Sequence, residues 1–108
     1  MSEVGELSPE ELRRRLENGD PPLILDVREP EEVVLAAFPG ATHIPMGEIA
    51  AQVSQLDPER ETVVVCHHGI RSAHVAIHLA RSGFTRVLNL SGGIDAWARD
   101  VDPSMPRY

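Results

Sequence analysis

Three short apolar runs, Leu23-Ile24-Leu25-Asp26-Val27, Thr62-Val63-Val64-Val65 and Arg86-Val87-Leu88-Asn89-Leu90, are separated by stretches whose apolar residues recur at helical spacing. That alternation restricts the fold more than any other feature of the chain. Runs that are continuous rather than alternating read as strands covered on both faces, and the β-branched 62–65 run reads as the central one. Strands that alternate with helices over short connections pair in parallel through right-handed crossovers. The expected architecture is α/β, an open parallel sheet flanked by helices on both faces.

The helical stretches carry their own punctuation. Ser8 caps a first helix with Pro9 at its first position and Glu11 completing a capping box; Leu12 and Leu16 share its inner face, and Asn18-Gly19 ends it. A short helix is expected over Glu29–Ala37, a short strand over Thr42–Ile44, and a helix over Met46–Leu56 carrying Ile49, Ala50, Val53 and Leu56. A further helix is expected from about Arg71 to Ser82, with Gly83 as its left-handed stop. Its polar residues Arg71, His74, His78 and Arg81 leave Ala73, Val75, Ala76, Ile77, Leu79 and Ala80 to be buried. A last helix spans Ile94–Arg99 with Trp97 inward, and the proline-containing tail 100–108 is expected to be extended. Residues 1–108 are read as one domain with its core at about 7–99, a length that can bury roughly two-thirds of the unfolded surface.

Composition removes several function classes. Ten cations against seventeen carboxylates leave a net charge of −7 with no basic block, so binding to nucleic acid or an anionic membrane is not expected. Every one of the cations is arginine, which excludes lysine-based Schiff-base or P-loop chemistry. No run approaches a membrane span and the acidic N-terminus has no apolar leader, so a soluble, cytoplasmic protein is expected. The single cysteine, Cys66, cannot form an internal disulfide or a two-cysteine redox pair. With few aromatics and no visible apolar patch, a monomer is the default expectation.

In open parallel sheets, sites lie beyond the carboxyl ends of the strands, and Cys66 sits there. The segment Cys66-His67-His68-Gly69-Ile70-Arg71-Ser72 joins a buried strand to a helix start. Backbone amides of such a loop can curl around the sulfur, Gly69 can take a positive φ, and the helix dipole with Arg71 favours a thiolate. Arg71 has a competing role as a solvated helix-start residue, and Ser72 either donates to the anion or caps the helix. Asp26 and Arg28, at the neighbouring strand end, are expected to form a structural brace, since a bare carboxylate beside a thiolate would oppose its ionisation. Glu31 and Glu32 read as helix-surface charges. His74 and His78 lack a third ligand at any metal-binding spacing, so no metal is expected.

These residues resemble the single-domain rhodaneses, the thiosulfate sulfurtransferase family. The loop Cys66–Ser72 resembles the family's active-site loop. Asp26-Val27-Arg28-Glu29-Pro30 with Glu32, Pro39-Gly40-Ala41 followed by His43-Ile44-Pro45, and Leu90-Ser91-Gly92-Gly93-Ile94 with Trp97 resemble its flanking elements, over roughly residues 7–99. The chain departs from the family at Ala36-Ala37-Phe38, where Gly-His-Ile is common. The resemblance implies a ping-pong sulfur transfer in which Cys66 takes sulfane sulfur from thiosulfate or a protein persulfide and passes it to an acceptor, without a cofactor. His67 and His68 would shape the loop and its acceptor specificity. Related phosphatases place five residues between cysteine and arginine; here there are four, a tighter ring that ranks phosphatase or arsenate reductase below sulfur transfer. A binding or persulfide-sensing module with little turnover is the alternative.

Overall fold

The computed structural model describes residues 4–108; Met1–Glu3, part of the acidic N-terminal segment, lie outside the described residues. Five strands form one parallel sheet in the order β1-β5-β4-β2-β3: β1 is Val4–Leu7, β2 Leu23–Asp26, β3 Thr42–His43, β4 Thr62–Val65 and β5 Val87–Leu90. Five helices intervene: α1 Pro9–Glu17, α2 Pro30–Leu35, α3 Ile49–Gln52, α4 Ile70–Arg81 and α5 Gly93–Asp100. Successive strand residues face opposite layers. Ile24, Val63 and Val65 pack with Leu12 of α1 and Ile94 and Trp97 of α5, whereas Leu25, Val64 and Cys66 pack with Ile49 of α3 and Val75, Ala76 and Leu79 of α4. The α/β sheet with helices on both faces therefore follows from the continuous apolar runs. All four residues of β4 are buried, as the central β-branched run requires.

Local signals held where chemistry is local. Ser8 Oγ accepts from the Glu11 amide at 3.1 Å and Glu11 accepts from the Ser8 amide at 3.0 Å, so both halves of the capping box are present. Boundaries moved where tertiary packing decides. α2 stops at Leu35 because Ala36 turns to an extended conformation, φ −154°, and the chain then buries Ala36 and Phe38 against Trp97. The 46–56 stretch is α-helical only over α3, between single 3-10 turns at Met46–Glu48 and Val53–Gln55. Ile77 is 44 % exposed rather than buried, since it shares the solvent stripe of α4 with His74, His78 and Arg81.

One element was not foreseen and one expectation needs correction. The N-terminal segment contains an edge strand: β1 pairs with β5 from Val4↔Val87 to Leu7↔Leu90. Gly5 and Glu6 are poor strand formers, so the signal is weak; a Cβ at Gly5 would lie 2.6 Å from Leu88 Cδ2 and would make that side chain shift. The tail 100–108 is also not extended. Asp102 accepts from the Ser104 amide and hydroxyl, Pro103 fixes φ between them, and the chain reverses so that Met105 enters the core beside Ala36, Phe38 and Trp97. The tail then runs back over the carboxyl end of the sheet, where Tyr108 stacks on His67.

Candidate active site

Cys66 lies one residue beyond β4 and is 1 % exposed. Its sulfur receives the Gly69 amide at 3.1 Å and the Ser72 amide at 3.3 Å, and the Ser72 hydroxyl stands 3.2 Å away. Gly69 is the N-cap of α4 with φ +94°, a conformation that glycine adopts without strain. The sulfur thus occupies the positive end of a twelve-residue helix, where free amides and the dipole stabilise negative charge.

The loop is clamped from α5. Ile94 and Asp95 amides donate to the carbonyls of Cys66 and His67 at 2.8 and 2.9 Å, which fixes the backbone on both sides of the 66–67 peptide. Close approach here requires Gly93, at φ +63°, since a Cβ would lie 2.5 Å from both of those carbonyl oxygens. Gly93→Ala is expected to destabilise the fold by about 2–4 kcal/mol through backbone strain and overpacking. A thermal-denaturation comparison with wild type checks it.

Ser72 is fully buried and does not cap α4, so the capping alternative fails. Its hydroxyl donates to Asn89 Oδ1 at 2.6 Å, and Asn89 Nδ2 donates to the Gly69 carbonyl at 3.1 Å and to Glu6 Oε2 at 3.2 Å. One hydroxyl proton is therefore shared between two acceptors: Ser72 accepts from a Cys66 thiol while bonded to Asn89, and can turn to donate to an anionic sulfur. Sequence reasoning missed Asn89. Its signal was a polar residue between Leu88 and Leu90 in an otherwise apolar strand.

Arg71 is neither a free helix-start residue nor an unpaired cation. Both of its terminal nitrogens donate to the Glu32 carboxylate, at 2.6 and 2.8 Å. Glu32 was expected to be a surface charge, and this is corrected: it also accepts from the Tyr108 hydroxyl at 2.8 Å and from the Glu29 amide at 3.1 Å. Arg71, opposed by partial burial and helped by Tyr108, holds the Glu32 carboxyl down to about 2 from an ordinary 4.5. A depressed carboxyl contributes stability at pH above about 4.5 and loses it as pH falls through about 2. An NMR titration of the Glu32 side-chain carbon is expected to give a midpoint near the lower value.

Asp26 and Arg28 form the expected ion pair, both at most 1 % exposed. Arg28 Nε and Nη2 donate to Asp26 at 3.0 and 2.8 Å, and the remaining guanidinium hydrogens reach the carbonyls of Ala36 and Glu32 and the Tyr108 hydroxyl. Tyr108 thus ties the Asp26–Arg28 brace to the Glu32–Arg71 pair. Its ring lies 3.8 Å from His67, which in turn stacks on exposed His68 at 3.9 Å. Burial, followed by the neighbouring His68, pushes the His67 imidazole below its usual range. Ile70 is 70 % exposed at the rim of the loop. His74 and His78 lie away from the sulfur-binding amides, in a groove of about 180 Å³ shared with Met46, Ile49 and Ala50.

His67, His68 and Asp95 bring ligand-type atoms within 4.8 Å of one another. They do not fit a metal ion as arranged. Face-to-face imidazoles direct their ring-plane lone pairs side by side instead of at one point, and the Asp95 carboxylate is engaged by Arg107 at 3.0 and 3.2 Å.

A parallel α/β sheet presents one cysteine to two converging amides at a helix N-terminus, an arrangement suited to negative charge on sulfur. The chain belongs to the rhodanese family: the model of the rhodanese-like domain matches residues 8–100. It is 38 % identical over 96 residues to a sulfurtransferase of Allochromatium vinosum, covering 89 % of this chain and 90 % of that one. It is 34 % identical to the thiosulfate sulfurtransferase GlpE of Pseudomonas entomophila, covering 90 % and 87 %. A rhodanese-like domain protein of Staphylococcus aureus superposes with a TM-score of 0.83 at 30 % identity, covering 96 % of this chain and 98 % of that one. These relatives support a rhodanese-like role in sulfur transfer. Among the described residues no helix is long and apolar enough to cross a membrane.

Proposed function

We propose that this chain is a sulfurtransferase that carries sulfane sulfur as a persulfide on Cys66. The convergence of the Gly69 amide, the Ser72 amide and the Ser72 hydroxyl on Sγ is the observation that supports this most strongly. In the first half-reaction the Cys66 thiolate attacks the outer sulfur of a donor. With thiosulfate, the donor S–S bond breaks, its electron pair leaves with sulfite, and Cys66–S–S⁻ remains. In the second, a thiolate or cyanide attacks the outer sulfur and the Cys66 thiolate is regenerated. Thiolate attack on sulfur needs no general base, and neither step changes the electron count, so neither a metal nor an organic cofactor is called on. Amides that hold the thiolate also hold the persulfide anion.

Asp26 and Arg28 support the loop from beneath in this reading, and His67, His68 and Ile70 form the rim that an acceptor meets. Donors are small sulfane compounds or a protein persulfide, and acceptors are thiols of the cytoplasm. Burial of Cys66 favours a second reading, a persulfide-sensing module with little turnover. Parallel assays of thiosulfate:cyanide transfer and of phosphate-ester hydrolysis test the proposal. Sulfur transfer without phosphate release is expected. Phosphate release alone would overturn the reading, and a single loading of Cys66 without turnover would favour the sensor.

A further inference from the structure

The arginines bonded into the loop, α2 and the tail are all matched by carboxylates. Arg71 is held by Glu32, Arg28 by Asp26 and Arg107 by Asp95. The Glu32–Arg71 pair is bidentate at 2.6 and 2.8 Å and Tyr108 donates to the same carboxylate, so Glu32 is fixed in place by three hydrogen-bond donors beyond its cap to α2. Arg71 sits in the first turn of α4 and immediately precedes Ser72, whose amide meets the Cys66 sulfur at 3.3 Å, which makes it the cation that an anionic donor would meet. With its nitrogens committed, it offers a donor little net positive field. The Gly69 and Ser72 amides are occupied by the sulfur itself. A net charge of −7 adds a repulsive background that acts on a dianion twice as strongly as on a monoanion.

We propose that Glu32, by neutralising Arg71, sets the charge class of the sulfur donor, so that the site takes a singly charged or neutral sulfane donor, a thiol persulfide, in preference to the thiosulfate dianion. This rests on the sulfur-transfer reading above and names the donor class of the same site. Transfer balances simply: Cys66–S⁻ attacks the outer sulfur of R–S–SH, the S–S bond of the donor breaks, R–S⁻ leaves with the electron pair, and Cys66–S–SH is formed. Glu32 acts through Arg71 and is a positioning residue.

The test compares two donors of nearly the same shape and different charge, thiosulfate and the methanethiosulfonate anion, in which a methyl group replaces one charged oxygen. Each ratio of kcat/KM is divided by the ratio of rates with a free small thiol, which removes intrinsic reactivity. In wild type the normalised ratio is expected to favour the monoanion by about tenfold or more, a difference of one charge at a neutralised site. Glu32→Gln keeps the acceptor for the Glu29 amide and frees Arg71. It is expected to lower KM for thiosulfate about fivefold with kcat little changed, to change KM for the monoanion less than about twofold, and to make thiosulfate KM rise with salt. A wild-type ratio at or below unity would overturn the inference, as would a ratio unaffected by Glu32→Gln. Should the variant fail to fold, the wild-type ratio still decides. If neither donor adds sulfur to Cys66 in the intact protein, the sulfur-transfer reading itself fails, an outcome distinct from a reversed preference.

Discussion

Cys66→Ser is expected to reduce sulfur transfer by on the order of 10⁴-fold or more, with the fold intact. Serine fits the site: the Gly69 and Ser72 amides that meet Sγ at 3.1 and 3.3 Å can donate equally to a hydroxyl. What it lacks is a polarisable sulfur nucleophile, because a serine hydroxyl without an adjacent base is a poor one. Among the described residues no imidazole is hydrogen-bonded to Cys66 or Ser72 to serve as that base. Steady-state transfer assays, paired with thermal melts of both proteins, separate a chemical loss from a folding loss. Retention of more than a few per cent of wild-type turnover by the variant would contradict the assignment.

Arg28→Ala is the substitution expected to damage stability most, by about 3–5 kcal/mol, or roughly 15–25 °C in a domain of this size. Arg28 is wholly buried. Its loss leaves the Asp26 carboxylate without a counter-charge in a nearly dry setting and deprives the Ala36 carbonyl of a donor at 2.6 Å. The backbone amide of residue 28, which donates to Asp26 Oδ1 at 3.1 Å, cannot replace a guanidinium. The Tyr108 hydroxyl would lose its donor as well, so the tail is expected to loosen along with the brace. Arg28→Lys is expected to recover little, since an ammonium cannot reproduce the planar fork. Differential scanning calorimetry of both variants measures these losses directly; a shift of only a few degrees for Arg28→Ala would show that the pair is not a structural brace.

The architecture was legible because its signals are local. The continuous run Thr62–Val65 could only be a covered strand, and it places Cys66 at the strand end beside a helix start. Gly69, Arg71 and Ser72 followed from the same seven-residue loop. The residues that complete the surroundings carry no local mark. Glu32 and Arg71 are 39 residues apart, Ser72 and Asn89 17, and Glu32 and Tyr108 76. Each pairing appears only after the parallel sheet aligns the carboxyl ends of β2, β4 and β5, which sets α2, the Cys66 loop and the tail side by side. Glu32 looked like any acidic residue of a helix's first turn, a charge on the helix surface. Tyr108 was hidden by two prolines that suggested an extended tail, where burial of Met105 and the Asp102 turn bend the chain back. β1 was hidden for a related reason: Gly5 and Glu6 have weak strand preference, and pairing with β5 overrides it.

The central claim is a covalent one, that Cys66 accepts a sulfur atom. It is tested most directly by incubating the protein with a sulfane donor, thiosulfate and methanethiosulfonate in turn, and measuring its intact mass against Cys66→Ser. The account predicts a gain of one sulfur atom in wild type, absent from the variant and reversed by cyanide or a thiol. An unchanged mass with both donors, or an adduct that persists in the Cys66→Ser protein, would contradict it.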